Sequence, residues 1–355
     1  MLLVSAILLA TIALEADEMP KYRIMKNSDR VFYNTNMPLV KVKAYSSNYM
    51  PSAVELKCLV KESVSDSLVF SFTQNFKIET EDSAAISFAF NLSPGFYKVE
   101  LSHKGSLLNK CTIGYEPEKI EFQPEKNDTL LSYIGKCSDE LISVPLNAAV
   151  TKVKKLSGKL RNVYRIKMDG ADGGFVDGYY AVPKKKGLYS AVVTFCSKDS
   201  IIPPVADEAD SLIHLNIAPD KSVADLLRAV DFLQTRPEVS LADVVSYGEG
   251  VGAAYALAAA AIDKRIWRSA VYAPAVEDFK HKELSSISDL VQLVEKIESQ
   301  VLFGLNIDDE KSTAYNNFAV YNNIRSEKEY YIFVEEKNPL LWKKIVEHFY
   351  EKHRK

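Results

Sequence analysis

Between residues 31 and 115, apolar and polar positions alternate in short runs at 39–44, 53–60, 68–73, 84–90 and 96–101, separated by polar and turn residues. A period of two places one face of each run in a core and the other in solvent, which predicts a small all-β sandwich over 23–115. The turn Leu92-Ser93-Pro94-Gly95 ahead of Phe96 supplies a fixed φ and then a glycine's freedom at the entry to a strand. Residues 116–150 break this rhythm. Punctuated by Pro117, Pro124 and Pro145 around a short helical piece at 129–134, they read as a connector. From 151 to 355, strand-like runs at 164–168, 178–182, 190–195, 243–247, 267–272, 301–305 and 330–334 alternate with helical runs at 223–234 and 253–262, and a helix at 340–355 closes the chain. This alternation predicts an α/β domain with a mainly parallel sheet and helices on both faces.

Residues 1–16 stand apart because Glu15 is their only charge. The run is shorter than the roughly 20 residues of a spanning helix and offers Ala13 and Ala16 to a peptidase, so it reads as a signal peptide. The mature chain is then expected outside the cytoplasm, periplasmic or extracellular, without a stable membrane span. No Lys or Arg precedes the apolar core, and an ordinary buried element is the alternative.

A length of 355 residues favours two cores over one. The 47% hydrophobic and 26% charged content is that of an ordinary globular chain, and a net charge of -3 with no basic run gives nucleic acid nothing to bind. The four cysteines lack the close pairing of a zinc site, so no metal and no cofactor is expected. Cys58 and Cys111 both fall in strand-like segments of the first domain; in an exported chain they are either a disulfide or two buried thiols. Nothing in the sequence specifies an oligomeric state.

The stretch Asp243-Val244-Val245-Ser246-Tyr247-Gly248-Glu249-Gly250-Val251-Gly252-Ala253-Ala254 runs from a strand through a glycine-rich turn into a small-residue helix. Its outline is that of the nucleophile elbow, G-x-S-x-G, in which flanking glycines let the helix pack closely on the strand while the central serine sits on a strained turn. Here the centre is Gly250. A phosphate-binding loop competes as a reading, but the G-K-[ST] ending is missing, and a dinucleotide fingerprint would come earlier in its domain. A turn kept only for packing is the plainest alternative.

Other segments follow in order around this turn. They are Gly178-Tyr179-Tyr180-Ala181-Val182-Pro183, then Arg228-Ala229-Val230-Asp231-Phe232-Leu233 with Arg236-Pro237-Glu238-Val239, then Ala256-Leu257-Ala258 through Asp263-Lys264-Arg265-Ile266, then Gly304-Leu305 with Asp308-Asp309 and the run 318–324. Together they resemble the acetyl xylan esterase and cephalosporin C deacetylase family of the α/β-hydrolase superfamily from about residue 114 onward. Gly114-Tyr115-Glu116-Pro117-Glu118 and the sandwich before it look like the two-domain members of that family.

The resemblance implies an α/β-hydrolase fold, carboxylic ester hydrolysis as the family activity, and a Ser-His-acid triad whose positions can be traced here. Gly250 falls on the nucleophile, so no hydroxyl is available to form an acyl-enzyme. Asp308 or Asp309 falls on the acid. The histidine place, after the strand at 330–334, reads Glu335-Glu336-Lys337-Asn338, with Lys337 nearest to it, and none of the five histidines falls there. The oxyanion loop becomes Cys196-Ser197-Lys198-Asp199, leaving the backbone amides of Lys198 and Val251 as candidate donors.

Loss of a triad serine or histidine costs on the order of a millionfold in turnover. The resemblance therefore implies a non-catalytic relative that binds a carbohydrate or an acylated small molecule. Displaced groups are the alternative route to hydrolysis: Cys196 as a nucleophile, Ser246 in the strand just before the elbow and aimed sideways by strand alternation, or Glu249 with Glu335 or Glu336 as a carboxylate pair. A third reading is an interaction or scaffold protein that uses its sandwich.

Overall fold

The computed structural model describes residues 22–23, 30–33, 39–45, 52–79, 83–197, 201–206, 211–219, 222–276, 284–334 and 336–352. The expected signal peptide at 1–16, Lys198 and Glu335 lie outside the described residues. The chain divides into two units, residues 1–120 with 313–318 and residues 121–312 with 319–355. Residues 121–150, read from sequence as a connector, group with the second unit.

The first unit carries β1 (Tyr22–Arg23), β2 (Val31–Phe32), β3 (Leu39–Tyr45), β4 (Ser52–Glu62), β5 (Leu68–Ile78), β6 (Ser83–Ala89), β7 (Gly95–His103) and β8 (Ser106–Tyr115). Two sheets form, ordered β1-β3-β6 and β2-β8-β7-β4-β5. Leu56, Cys58 and Val60 of β4 meet Phe88, Phe90, Val99, Leu101 and Ile113 in one apolar cluster, as the alternation requires. Strand β8 left no sequence signal because its first seven residues are exposed or half-buried, and only Ile113, Gly114 and Tyr115 are buried.

Cys58 and Cys111 stand as two thiols in this structure, the second of the two sequence alternatives. Burial, and secondarily the neighbouring Cys111, pushes the Cys58 thiol up to about 12. Alkylation needs the thiolate. Iodoacetamide at pH 8 is therefore expected to spare Cys58 in the folded chain and to label it once the chain is unfolded in denaturant, with mass spectrometry of the peptides as the readout; rapid labelling in the native protein would contradict this burial.

The second unit contains α1 (Asp128–Ser143), β9 (Ala149–Lys152), β10 (Arg161–Asp169), β11 (Phe175–Pro183), β12 (Tyr189–Phe195), β13 (Leu212–Ala218), α2 (Leu227–Gln234), β14 (Val239–Glu249), α3 (Val251–Ile262), β15 (Arg268–Tyr272), α4 (Ile287–Val294), β16 (Gln300–Asn306), the second half of α5 (Ala314–Asn323), β17 (Lys328–Phe333) and α6 (Pro339–Lys352). Nine strands form one sheet in the order β17-β16-β15-β14-β12-β13-β11-β10-β9. The run from β13 to β17 is parallel. Strands β11, β10 and β9 join it antiparallel. The α/β class expected from sequence is the class observed, with a mixed rather than wholly parallel sheet.

Two elements differ from their sequence outlines. The helix expected at 129–134 runs on to Ser143, because the buried stripe Leu130, Ile134, Cys137 and Leu141 continues at helical spacing. The helix expected at 223–234 begins as a 3₁₀ turn, Val223–Leu226, capped reciprocally by Ser222 and Asp225 before α2 starts.

Strand β14 positions the site. Its successive side chains point to opposite faces: Gly248 comes up against the start of α3, while the Tyr247 hydroxyl accepts a hydrogen bond from Trp342 Nε1 of α6 at 3.1 Å. Helices therefore cover both faces of the sheet at this strand.

Candidate functional site

At the carboxyl end of β14 the chain turns through Gly250 at φ 55 and ψ -122 and enters α3. That region is close to glycine-only, and a side chain placed there costs roughly 1 to 3 kcal/mol. The turn is held by its backbone. Gly250 N donates to Tyr272 O at 2.9 Å, and Gly250 O accepts from Ala253 N and Ala275 N, each at 3.1 Å.

The three glycines of the motif do different work. A Cβ on Gly248 would lie 2.0 Å from Gly252 O, and one on Gly252 would lie 2.1 Å from Phe195 O, so the flanking pair is required by close approach of backbone to backbone. A Cβ on Gly250 would meet nothing within 4 Å. The position is open, as a nucleophile's would be, and it carries no side chain. Beyond it, the amide of Val251 opens α3, where first-turn N–H groups lack intrahelical acceptors.

Around this opening the structure brings together Glu249, Lys337, Tyr247 and Tyr272. Lys337 Nζ stands 2.6 Å from Glu249 Oε2 and 4.3 Å from the centre of the Tyr272 ring. Lys337, expected from the resemblance to lie nearest the histidine place, is thus tied by an ion pair to Glu249, the residue before Gly250. Tyr247 donates its hydroxyl proton to Glu249, and burial, then the charge of Glu249, raises its phenol far above the usual range. Burial also raises Tyr272, with Asp309 and then Glu249 adding to the effect. Among the described residues its buried hydroxyl has no hydrogen-bond partner. Both phenols remain neutral at any physiological pH.

The two acid candidates differ in their settings. Asp308 is exposed, and its amide donates to Asn306 Oδ1 at 2.7 Å. Asp309 is half-buried, and its Oδ1 accepts the amides of Lys311 and Ser312, each at 2.9 Å. Asp309 is the one whose charge acts on Tyr272.

The displaced-group candidates are poorly placed. Cys196 is buried, its thiol pushed up by that burial, so it is not a thiolate nucleophile. Ser246 is fully buried and donates to Ser269 Oγ at 2.7 Å, on the face opposite Tyr247. Glu336 is exposed, and among the described residues no group of three or more His, Cys, Asp or Glu side chains is arranged to hold a metal ion.

Sequence reasoning missed Tyr272, Tyr247 and Trp342. Period-two alternation in β14 puts Tyr247 on the face of Glu249, and Trp342, Val346 and Phe349 form a buried stripe on α6, so both signals were present but weak. Tyr272 is a strand-end aromatic, indistinguishable by sequence from a core residue.

No family model matches the chain. It is similar to an acetyl esterase of Xylanibacter ruminicola, 22% identical over 238 residues, which is 55% of this chain and 54% of that protein. The chain thus spans about half the length of the curated relative it matches. Its fold is similar to that of acetyl xylan esterase 1 from Thermoanaerobacterium sp. JW/SL YS485, with a TM-score of 0.58 at 15% identity over 67% of this chain and 98% of the other. An acetyl xylan esterase from Paenibacillus sp. R4 aligns equally well, with a TM-score of 0.58 at 16% identity over 67% of this chain and 99% of the other. The nine-stranded sheet and these likenesses show that the chain has the fold of the acetyl xylan esterases, to which part of its sequence is also similar.

Proposed function

We propose that this chain is a non-catalytic member of the family that binds an acylated carbohydrate or a related ester and does not cleave it. The observation that carries the proposal is Gly250, an unobstructed position in a built elbow with no hydroxyl on it. Without nucleophile and imidazole, what survives of triad catalysis is oxyanion stabilisation and binding, roughly 10³ to 10⁴ over water. The Glu249–Lys337 pair occupies the mouth with charges that neutralise each other, which suits holding a neutral ligand. The proposed setting is outside the cytoplasm, on the strength of the apolar run at 1–16.

The competing reading, hydrolysis through Glu249 or Cys196, meets two physical objections. Glu249 already accepts from Tyr247 and Lys337, and Cys196 is a buried neutral thiol.

Titration calorimetry of the full chain with acetylated xylo-oligosaccharides is expected to give saturable binding, with the oligosaccharide recovered fully acetylated by mass spectrometry. Absence of binding to both acetylated and deacetylated forms, or release of acetate, would overturn the proposal.

A further inference from the structure

On the α6 side of the second unit's sheet lies a groove of ≈ 560 Å³, within the range of small-molecule sites. Among the described residues its floor is one face of β12, β13 and β14, and its wall is α6. It extends from Glu249 and Lys337 at the elbow to Asp243 in the middle of β14, six residues or about 20 Å along the strand. The groove is thus elongated along the strand, a shape suited to a linear chain.

The chemistry of the walls points the same way. Val192, Leu212, Val245, Trp342 and Val346 line the middle. Several polar groups along the groove already hold partners: Ser190 Oγ donates to Asp243 Oδ2 at 2.6 Å and Arg268 to Asp243 Oδ1 at 3.1 Å. Tyr247 lies between Glu249 and Trp342, and the Tyr350 hydroxyl donates to Ser246 O at 2.9 Å. An apolar chain laid along the Val192, Leu212, Val245, Trp342 and Val346 stretch would gain the benefit of leaving water.

We infer that this groove binds a linear acyl chain longer than acetyl, with its carboxyl or ester end at the elbow beside Gly250 and its methyl end toward Asp243. The inference rests on the reading of the elbow as an ester-binding site without chemistry and names the acyl part of that ligand.

The test uses the full chain with Trp267→Phe, which leaves Trp342 as the single tryptophan and a reporter in the groove wall. Butanoate, hexanoate, octanoate and decanoate, and separately their methyl esters, are titrated below their aggregation limits while Trp342 emission is followed. Affinity is expected to rise about fourfold for each added methylene, in the acid series, the ester series or both, and the comparison identifies the head group. Leu212→Trp and Val346→Phe, each checked for a native circular dichroism spectrum, are expected to weaken decanoyl binding at least tenfold and to leave acetylated xylo-oligosaccharide binding unchanged. Affinity independent of chain length in both series, or undiminished decanoyl binding in both variants, would overturn the inference. Chain-length-dependent binding accompanied by ester turnover would instead uphold the groove and overturn the non-catalytic reading.

Discussion

Gly248→Ala and Gly252→Ala are each expected to destabilise the second unit by about 3 kcal/mol or more, because the new methyl group meets a backbone carbonyl that cannot rotate away. The contacts are 2.0 Å to Gly252 O in one case and 2.1 Å to Phe195 O in the other, distances that only movement of α3 away from the sheet relieves. For a unit of this size the apparent Tm is expected to fall by roughly 6 to 12 °C. Gly250→Ala is the contrast. Its methyl group enters open space, so its cost is the conformational strain alone, roughly 1 to 3 kcal/mol. Thermal melts of the three variants check the order: if Gly250→Ala proves the most damaging, the turn is not the elbow described.

The second large effect is a gain. Gly250→Ser alone is expected to leave the chain inactive, since the hydroxyl has no base to take its proton. Gly250→Ser with Lys337→His supplies both groups at the places the structure sets near each other, since Lys337 pairs with the residue adjoining Gly250. Acetyl ester turnover on the order of 10² above the parent is expected, a small part of what an intact triad supplies. It should rise with pH through roughly 6.5 as the imidazole becomes neutral and able to accept a proton. Initial rates of the two single variants and the double variant decide this. A double variant no faster than Gly250→Ser would show that Lys337 does not stand in for the histidine.

The sequence revealed those parts of the molecule whose physics is local. Strands with one buried face, such as β4, and glycines required by close packing leave periodic or compositional marks that need no knowledge of neighbours. Strand β8 is buried only at its last three residues, so alternation could not show it. Strand β13 carries His214 and Asn216 within an otherwise apolar run and is recognisable only from its pairing between β12 and β11. Helix α4 opens with a reciprocal cap between Ser286 and Asp289, a local mark of a helix start.

At the site, absences were easier to read than replacements. That glycine stands at the centre of the motif is visible in one line of sequence, because Gly248 and Gly252 frame Gly250. That Glu249 and Lys337 form an ion pair, that Tyr247 joins Glu249 to Trp342, and that the Tyr272 phenol feels the charges of Asp309 and Glu249 all depend on segments meeting at the end of the sheet. Those contacts join residues up to 95 positions apart. No local pattern encodes them.

The central claim is that the elbow has kept its shape and lost its chemistry. Its most direct test is the initial rate of a chromogenic acetate ester with the unmodified chain, measured beside the same chain denatured and the ester in buffer alone. No release above these controls is predicted, across pH 5 to 9 and at the highest attainable protein concentration. Sustained turnover that disappears on Glu249→Gln or Cys196→Ala would contradict the claim and assign the chemistry to a displaced group.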